Sequence, residues 1–199
     1  MKAVVLTPEG FSIQEAPRPV PSEEQVLVRV KACGLNRADL GVIAGGKHGS
    51  QGGAGTIPGM EWAGEVVEVG AKAHGVKVGD RVMCSGSGGY AEYAVSDWGR
   101  TIPLPSDAMT YAQAVTLPIA VQTMHNALVT VGELRPGETV LIQGASSGVG
   151  LMAMQIARAM GAKMVIGTSS NAVRREQLKS FGADVALDNS DPNWPALAI

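Results

Sequence analysis

The sequence predicts an α/β fold in two parts, a small antiparallel β barrel or sandwich followed by a parallel sheet of alternating strands and helices. Three observations predict it. Up to about residue 100, short apolar runs alternate with polar positions and are bounded by glycine or aspartate, as half-buried antiparallel strands are. After residue 107 the apolar spacing turns helical. From 139 to 188 fully apolar runs alternate with amphipathic ones, the pattern of buried parallel strands joined by crossover helices.

Taken in order, "QVLVRV" (25–30) places Val26, Val28 and Val30 on one face and Arg29 on the other. "GEVVEVG" (64–70), "DRVMCSG" (80–86) and "GYAEYAVSD" (89–97) continue the series. Gly79-Asp80 between two apolar runs is a turn signal. "DAMTYAQAVTLPIAVQTMHNALVTV" is helical in composition, with Pro118 ending or kinking its first piece. Residues 108–132 carry no Asp, Glu, Lys or Arg, but include Gln113, Pro118, Gln122, His125 and Asn126, so a buried interdomain helix is expected and not a membrane span. "TVLIQG" is an apolar strand after the turn "RPGE". The helix that follows sets Val149, Met152, Ala153, Ile156 and Met160 at helical spacing, with Gly161 as its C-terminal cap. "KMVIGT" (163–168) is a second strand, and a helix capped by Asn171 and stopped at Gly182 leads to a third, "DVALD" (184–188).

Composition narrows the function classes. Of 199 residues 45% are apolar but only 4% aromatic, so the core is aliphatic, and the 26 glycines fall at scattered turns and not in a repeat. A net charge of −2 provides no electrostatic footprint for nucleic acid or an acidic membrane. Two cysteines, Cys33 and Cys84, are too few for a disulfide framework and fit a reducing, cytoplasmic setting. The N-terminus turns polar and prolyl too soon for a signal peptide. His48, His74 and His125 have no ligand spacing.

The chemistry is concentrated in "QGASSGVG" (143–150), a glycine-rich turn between an apolar strand and an apolar-faced helix. Gly144, Gly148 and Gly150 meet the demands of a dinucleotide turn: a tight exit from the strand, close approach of backbone N–H groups to the pyrophosphate, and close packing of the helix against the strand. Ala145, Ser146, Ser147 and Val149 supply the rest of that backbone. The alternative is an ordinary tight βα turn serving another ligand. An NAD site places an acid on the ribose roughly 20 residues further on. No acid occurs between Thr139 and Arg175; Thr168, Ser169 and Ser170 stand there, followed by Arg174 and Arg175. Hydroxyls and a cation suit a 2′-phosphate, so NADPH is the expected cofactor. Against that, an arginine pair is also what a solvated helix face carries, and at least one of the two is expected to be that.

The spacing G-x-x-x-G-x-G also fits the short-chain dehydrogenases, but their turn lies near the N-terminus and is followed by Tyr-x-x-x-Lys. None of Tyr90, Tyr93 and Tyr111 has a lysine four residues later. With a β domain in front, the chain instead resembles the medium-chain dehydrogenase/reductases, and within them the zinc-free quinone oxidoreductases. The resemblance runs from Met1 almost to the end and rests on "KACGLNRADL" (31–40), "IPGMEWAGEVVEVG" (57–70), "VGDRV" (78–82), "GGYAEYAV" (88–95) and "LRPGETVLIQGASSGVG" (134–150). It implies a GroES-like catalytic domain over 1–122 and the first half of a Rossmann NADP-binding domain over 123–199. Residues 139–188 supply three strands, about half of such a sheet, and the first of them would expose an unpaired edge. The chain is therefore expected to be a truncated form, the alternative being a natural short form that pairs this edge with another copy.

The resemblance also implies a set of roles. Zinc-dependent members have a metal-binding cysteine where this chain has Asn36 and a histidine where it has Met60. Neither an amide nor a thioether is a usual zinc ligand, so no metal is expected. The implied reaction is metal-independent hydride transfer from NADPH to a quinone or α,β-unsaturated carbonyl, with Asn36 orienting the nicotinamide or the substrate carbonyl and Thr123 lying near the nicotinamide. A turn-capping amide is the other reading of Asn36. Arg174 matches the basic residue that reads the 2′-phosphate, whereas Asn189 falls where several relatives have a tyrosine. The loop at 41–55, with seven glycines, is either a rim over the substrate cleft or a neutral loop. Some relatives have an aromatic residue at Gly41. Partners are expected to be the small-molecule substrate and a second copy in a homodimer, with no nucleic acid and no membrane. Two other functions fit: an enoyl-thioester reductase of the same superfamily, and a catalytically silent nucleotide-binding or sensor protein.

Overall fold

The computed structural model describes residues 1–49 and 51–198. Contacts divide it into two units, Met1–Pro118 and Ile119–Ile199. The division falls at the start of a helix beginning with Pro118, a few residues before the sequence-based boundary after 122. Proline is at home in a first helical turn, where its missing N–H has no intrahelical partner to lose.

The first unit opens with an antiparallel ribbon of β1 (Lys2–Thr7) and β2 (Gly10–Glu15), which the strand patterning does not register. β3 (Gln25–Cys33), β4 (Glu61–Val69), β5 (Arg81–Ser85), β6 (Tyr93–Asp97) and β7 (Thr101–Pro103) form an antiparallel sheet in the order β6-β3-β4-β5-β7. The expected barrel is present as this five-stranded sheet together with the ribbon, which joins the segment before β6 through an Ala3–Ala91 bridge and the Val4 N–H to the Tyr90 carbonyl at 2.9 Å. Val26 and Val28 enter one cluster with Trp62, Val66, Val82, Cys84 and Ala94, and Val30 packs against it, as the alternation predicts. Arg29 points the other way and pairs with Glu65 across the β3–β4 rung at 2.8 Å. Burial pushes the Cys84 thiol up to about 12. A short helix, α1 (Arg37–Ile43), follows β3. The next, α2 (Tyr111–Ala114), puts Ala114 against Ala63 and Met83.

Pro118 begins α3 (Pro118–His125), which continues as a wider π turn through Asn126–Val131. The stretch Tyr111–Val131 is long and apolar enough to cross a membrane by length and composition, yet little of it is buried: only Ala114, Val115 and Pro118. The buried interdomain helix expected from its lack of charge is therefore corrected: lack of charge permits burial but does not supply a partner, and Val121 and Val131 face out.

The second unit carries three parallel strands, β8 (Thr139–Ile142), β9 (Met164–Thr168) and β10 (Val185–Leu187), in the order β10-β9-β8. Crossover helices α4 (Gly148–Ala159) and α5 (Ala172–Gln177) join them, the latter extended by a 3₁₀ turn over Leu178–Phe181. The β8 edge is unpaired among the described residues, as expected for half a sheet. The buried face of α4 is Gly150, Ala153, Met154 and Ala157, not the face centred on Val149, Met152 and Ile156. Those four stand at i, i+3, i+4 and i+7, so the helix is rotated to lay Gly150, Ala153 and Ala157 inward, with Met154 filling the space between them. Gly161 and Gly182 stop the two helices in left-handed conformations, as read from the sequence.

Candidate nucleotide site and the Asn36 network

The turn between β8 and α4 is held from below by the end of β9. Gly144 N–H donates to the Thr168 hydroxyl at 3.3 Å and Ala145 N–H to the Thr168 carbonyl at 2.9 Å. Thr168 is wholly buried, so its side chain braces the turn and does not face a ligand. Gly144 sits at φ +63°, the left-handed region that favours glycine. Ser147 is the N-cap of α4: its hydroxyl accepts from Gly150 N–H at 3.1 Å and donates to the Gly144 carbonyl at 2.8 Å. Leu151 N–H is taken by the Ser147 carbonyl. The N–H groups of Gly148 and Val149, in the first helical turn, are left without intrahelical partners, as at any helix start. A Cβ on Gly150 would lie 2.5 Å from the Gly144 carbonyl oxygen, whereas one on Gly148 would meet nothing within 4 Å. Gly150 is therefore the packing glycine, and Gly148 the one that keeps the face of the turn open. An exposed helix start with donors and no side chain in the way suits a pyrophosphate.

The rim of the turn is polar. Ser146 and Ser169 hydroxyls lie 2.9 Å apart, joining the turn to the end of β9, and Ser169 is 3% exposed. Ser170 is exposed beside it. Asn171 caps α5 by accepting from Arg174 N–H at 2.9 Å. The two arginines part company here. Arg175 donates to the Ser169 carbonyl at 2.8 Å and pairs with Asp188 at 2.9 Å. Arg174 is exposed, and its guanidinium has no partner among the described residues. One arginine is thus structural, while the other is exposed and unpartnered on α5, as the solvated-face reading expects of at least one of the two. Val149, 37% exposed, lies at the start of α4, and Thr123 is exposed on α3. Asn189, where several relatives have a tyrosine, is exposed just after β10.

Asn36 belongs to the first unit and immediately precedes α1. Its backbone N–H donates to Asp39 at 2.7 Å, closing the start of the helix, and its Nδ2 donates to Glu61 at 2.9 Å. The residue is a cap by its backbone, but its side chain is turned to Glu61 and held there. Glu61 and Asp39 are buried at 5% and 4% exposure. A Cβ on Gly34 would fall 2.5 Å from the Glu61 carboxylate, so this glycine makes room for it. The Tyr90 hydroxyl shares its proton between Asp39 at 2.5 Å and the Gly34 carbonyl at 3.1 Å. Burial first, then the Asp39 acceptor, pushes the Tyr90 phenol far above its ordinary value, so it stays a donor. The Asp39 Oδ1 is buried without a hydrogen-bond partner among the described residues. The sequence does not mark Tyr90 as a site residue, since 51 positions separate it from Asp39. Nor does it give Asp39 and Glu61 a role of their own, because nothing in their spacing shows that they share a network with Asn36.

No histidine joins this network: His74 stacks on Trp98 at 3.7 Å, His48 bridges to Gln51, and His125 ends α3. Among the described residues no three His, Cys, Asp or Glu side chains are placed to hold a metal ion. Of the loop at 41–55, Ser50 lies outside the described residues; Gly45, Gly53 and Ala54 line a cleft of about 360 Å³ with Leu6, Glu9 and Val42.

Comparison with known proteins matches both units. Residues 22–106 match the alcohol dehydrogenase GroES-like domain, and residues 148–197 the family described as zinc-binding dehydrogenase. The Mus musculus quinone oxidoreductase is 37% identical over 190 residues, covering 94% of this chain. The chain spans only 56% of that relative's length. The Escherichia coli quinone oxidoreductase complexed with NADPH superposes with a TM-score of 0.83 at 27% identity, covering 96% of this chain and 59% of that one. A mycobacterial protein, also complexed with NADPH, gives 0.84 at 31% identity, covering 98% and 61%. With both matched domains following one another along the chain, it belongs to the medium-chain dehydrogenase/reductase superfamily and is similar, within it, to quinone oxidoreductases.

Proposed function

We propose that the chain is the nucleotide-gripping part of an NADPH-dependent oxidoreductase that reduces a quinone or an α,β-unsaturated carbonyl without a metal. The observation that carries the cofactor is the unpartnered, exposed guanidinium of Arg174 in the first turn of α5, the helix that follows β9. Two of the superposable proteins are complexes with NADPH, which points the same way. In this reading the N–H groups of Gly148 and Val149 hold the pyrophosphate, while Ser170 and Arg174 meet the 2′-phosphate. NADPH, when bound, supplies the hydride.

Asn36 does the polar work at the substrate. One of its two Nδ2 hydrogens is given to Glu61, which fixes the amide and increases its dipole. The second is free to donate to a carbonyl oxygen that gains charge during reduction. A conjugated acceptor spreads that charge, so it needs less polarisation than an isolated carbonyl and an amide donor suffices. Metal independence is supported by Asn36 and Met60 standing where zinc-dependent relatives have cysteine and histidine.

Fluorescence titration of the 199-residue chain with NADPH and NADH tests the cofactor. Tighter NADPH binding is expected, with Arg174→Ala weakening NADPH by about tenfold, the cost of one charge-assisted contact, and leaving NADH unchanged. Tighter NADH binding would overturn the assignment. Turnover of a quinone and of an enoyl thioester, before and after dialysis against a chelator, tests the chemistry. Loss of quinone turnover on chelation would sink the metal-free mechanism.

A further inference from the structure

Between Thr139 and Arg175 the sequence has no acid, but the fold brings one to the turn from further along the chain. Leu187 pairs with Thr168 in the last rung between β10 and β9, and Ser169 N–H donates to the Leu187 carbonyl at 3.0 Å. Asp188, one residue on, therefore stands beside Ser169 at the carboxyl edge of the sheet, where α/β proteins bind their ligands. Ser190 holds one of its oxygens, through its hydroxyl at 2.5 Å and its backbone N–H at 3.0 Å. These two donors first, and Arg175 after them, keep the Asp188 carboxyl below the usual carboxylate range, so it is charged at neutral pH. A bare carboxylate at this edge favours ribose hydroxyls and repels a 2′-phosphate.

We propose that Arg175 is a specificity-determining residue: by pairing with Asp188 and anchoring on the Ser169 carbonyl, it neutralises the acid beside Ser169 and so permits NADPH in place of NADH. The inference rests on the NADPH reading above. Arg175 is well placed for it, since one nitrogen, Nη1, lies 2.9 Å from Asp188 and 2.8 Å from the Ser169 oxygen. The side chains are 22% and 35% exposed, drier than a free surface pair. The two adjacent arginines then act in complementary ways, Arg174 by attracting the phosphate and Arg175 by removing what would repel it. Because Ser190 still holds Asp188 when Arg175 is lost, the uncovered charge stays at the edge.

The test is titration of the 199-residue chain with NADPH and NADH, by cofactor fluorescence, across five variants. Arg175→Ala is expected to weaken NADPH by about tenfold and to leave NADH unchanged or tighter, the scale of one partly screened charge nearby. Arg175→Lys is expected to keep the wild-type preference. Adding Asp188→Asn to Arg175→Ala is expected to restore NADPH affinity to within about twofold of wild type, since the repelling charge is gone. Equal weakening of both nucleotides by Arg175→Ala, or a double variant as weak toward NADPH as the single one, would overturn the proposal in favour of a purely structural salt bridge. Should Arg175→Ala not fold, the Lys variant and Asp188→Asn alone still decide: a Lys variant that loses the preference, or an Asp188→Asn variant with weaker NADPH binding, overturns it. A wild-type chain that shows no preference for NADPH, with Arg174→Ala silent, overturns the cofactor reading itself, a result separate from an unselective Arg175 variant.

Discussion

Gly148 and Gly150 are two residues apart in one helical turn, and the space around them gives them different roles. A methyl on Gly150 would be driven into the Gly144 carbonyl and within 2.7 Å of the Ala145 Cα, all backbone that cannot step aside. Gly150→Ala is expected to destabilise the fold by about 1–3 kcal/mol through overpacking and to lose nucleotide binding with it. A methyl on Gly148 meets only open space, so Gly148→Ala is expected to leave the melting temperature unchanged within error. It also places a side chain where the pyrophosphate approaches, and its nucleotide affinity should fall by about tenfold or more, the scale of one lost charge-assisted contact. Thermal melts and nucleotide titrations of the pair check this. A Gly148 variant that melts early, or one that binds as well as wild type, would contradict the division.

At the scale of elements, the second unit is legible in the sequence because its signals are local. The caps Ser147 and Asn171 and the stops Gly161 and Gly182 act within a few residues of themselves, and a sequence shows them directly. What it cannot show is which neighbour each apolar run meets. β8 and β9 look equally apolar, yet β9 is central and buried while Leu141 on edge strand β8 is 41% exposed. The burial of Tyr111–Val131 is misjudged for the same reason, and so is the face of α4, which is set by the close approach of Gly150 and not by its bulkiest residues. In the candidate sites the glycine turn is readable and the Asn36–Asp39–Tyr90 network is not, because Tyr90 comes to the start of α1 from 51 residues further along the chain. Thr168 shows how an element and a site merge. Its position in the sequence suggests a polar group for the cofactor, but its hydroxyl is spent on Gly144 N–H under the turn. Thr168→Val, which keeps the shape and removes the acceptor, is expected to cost about 1–2 kcal/mol, the penalty for a donor left unpaired away from water. Chemical denaturation measures it; a neutral result would show that the turn does not depend on this brace.

At the scale of the whole molecule, both units are expected to lose stability together in acid, because each carries carboxylates held below their ordinary range. In the first unit Arg29 lowers Glu65 and Lys77 lowers Asp80. In the second, the Val165 N–H and then Arg158 lower Asp184, while Ser190 and then Arg175 lower Asp188. A carboxylate with a folded value below its unfolded one binds fewer protons in the folded state. Its contribution is therefore complete above the unfolded value, near 3.8 for Asp and 4.5 for Glu, and is lost as pH falls through the folded value. Denaturation midpoints should accordingly be level from neutrality to about pH 5 and then decline, by a modest amount because these pairs are largely solvent-exposed. Tryptophan fluorescence can follow the two units separately: Trp62 and Trp98 report on the first and Trp194 on the second, so Trp194→Phe silences the second. The decline should appear with and without Trp194. Glu65→Gln should flatten it only in the first unit and Asp184→Asn only in the second, and a midpoint that rises below pH 4 would mean that groups of the opposite sign govern the acid limb.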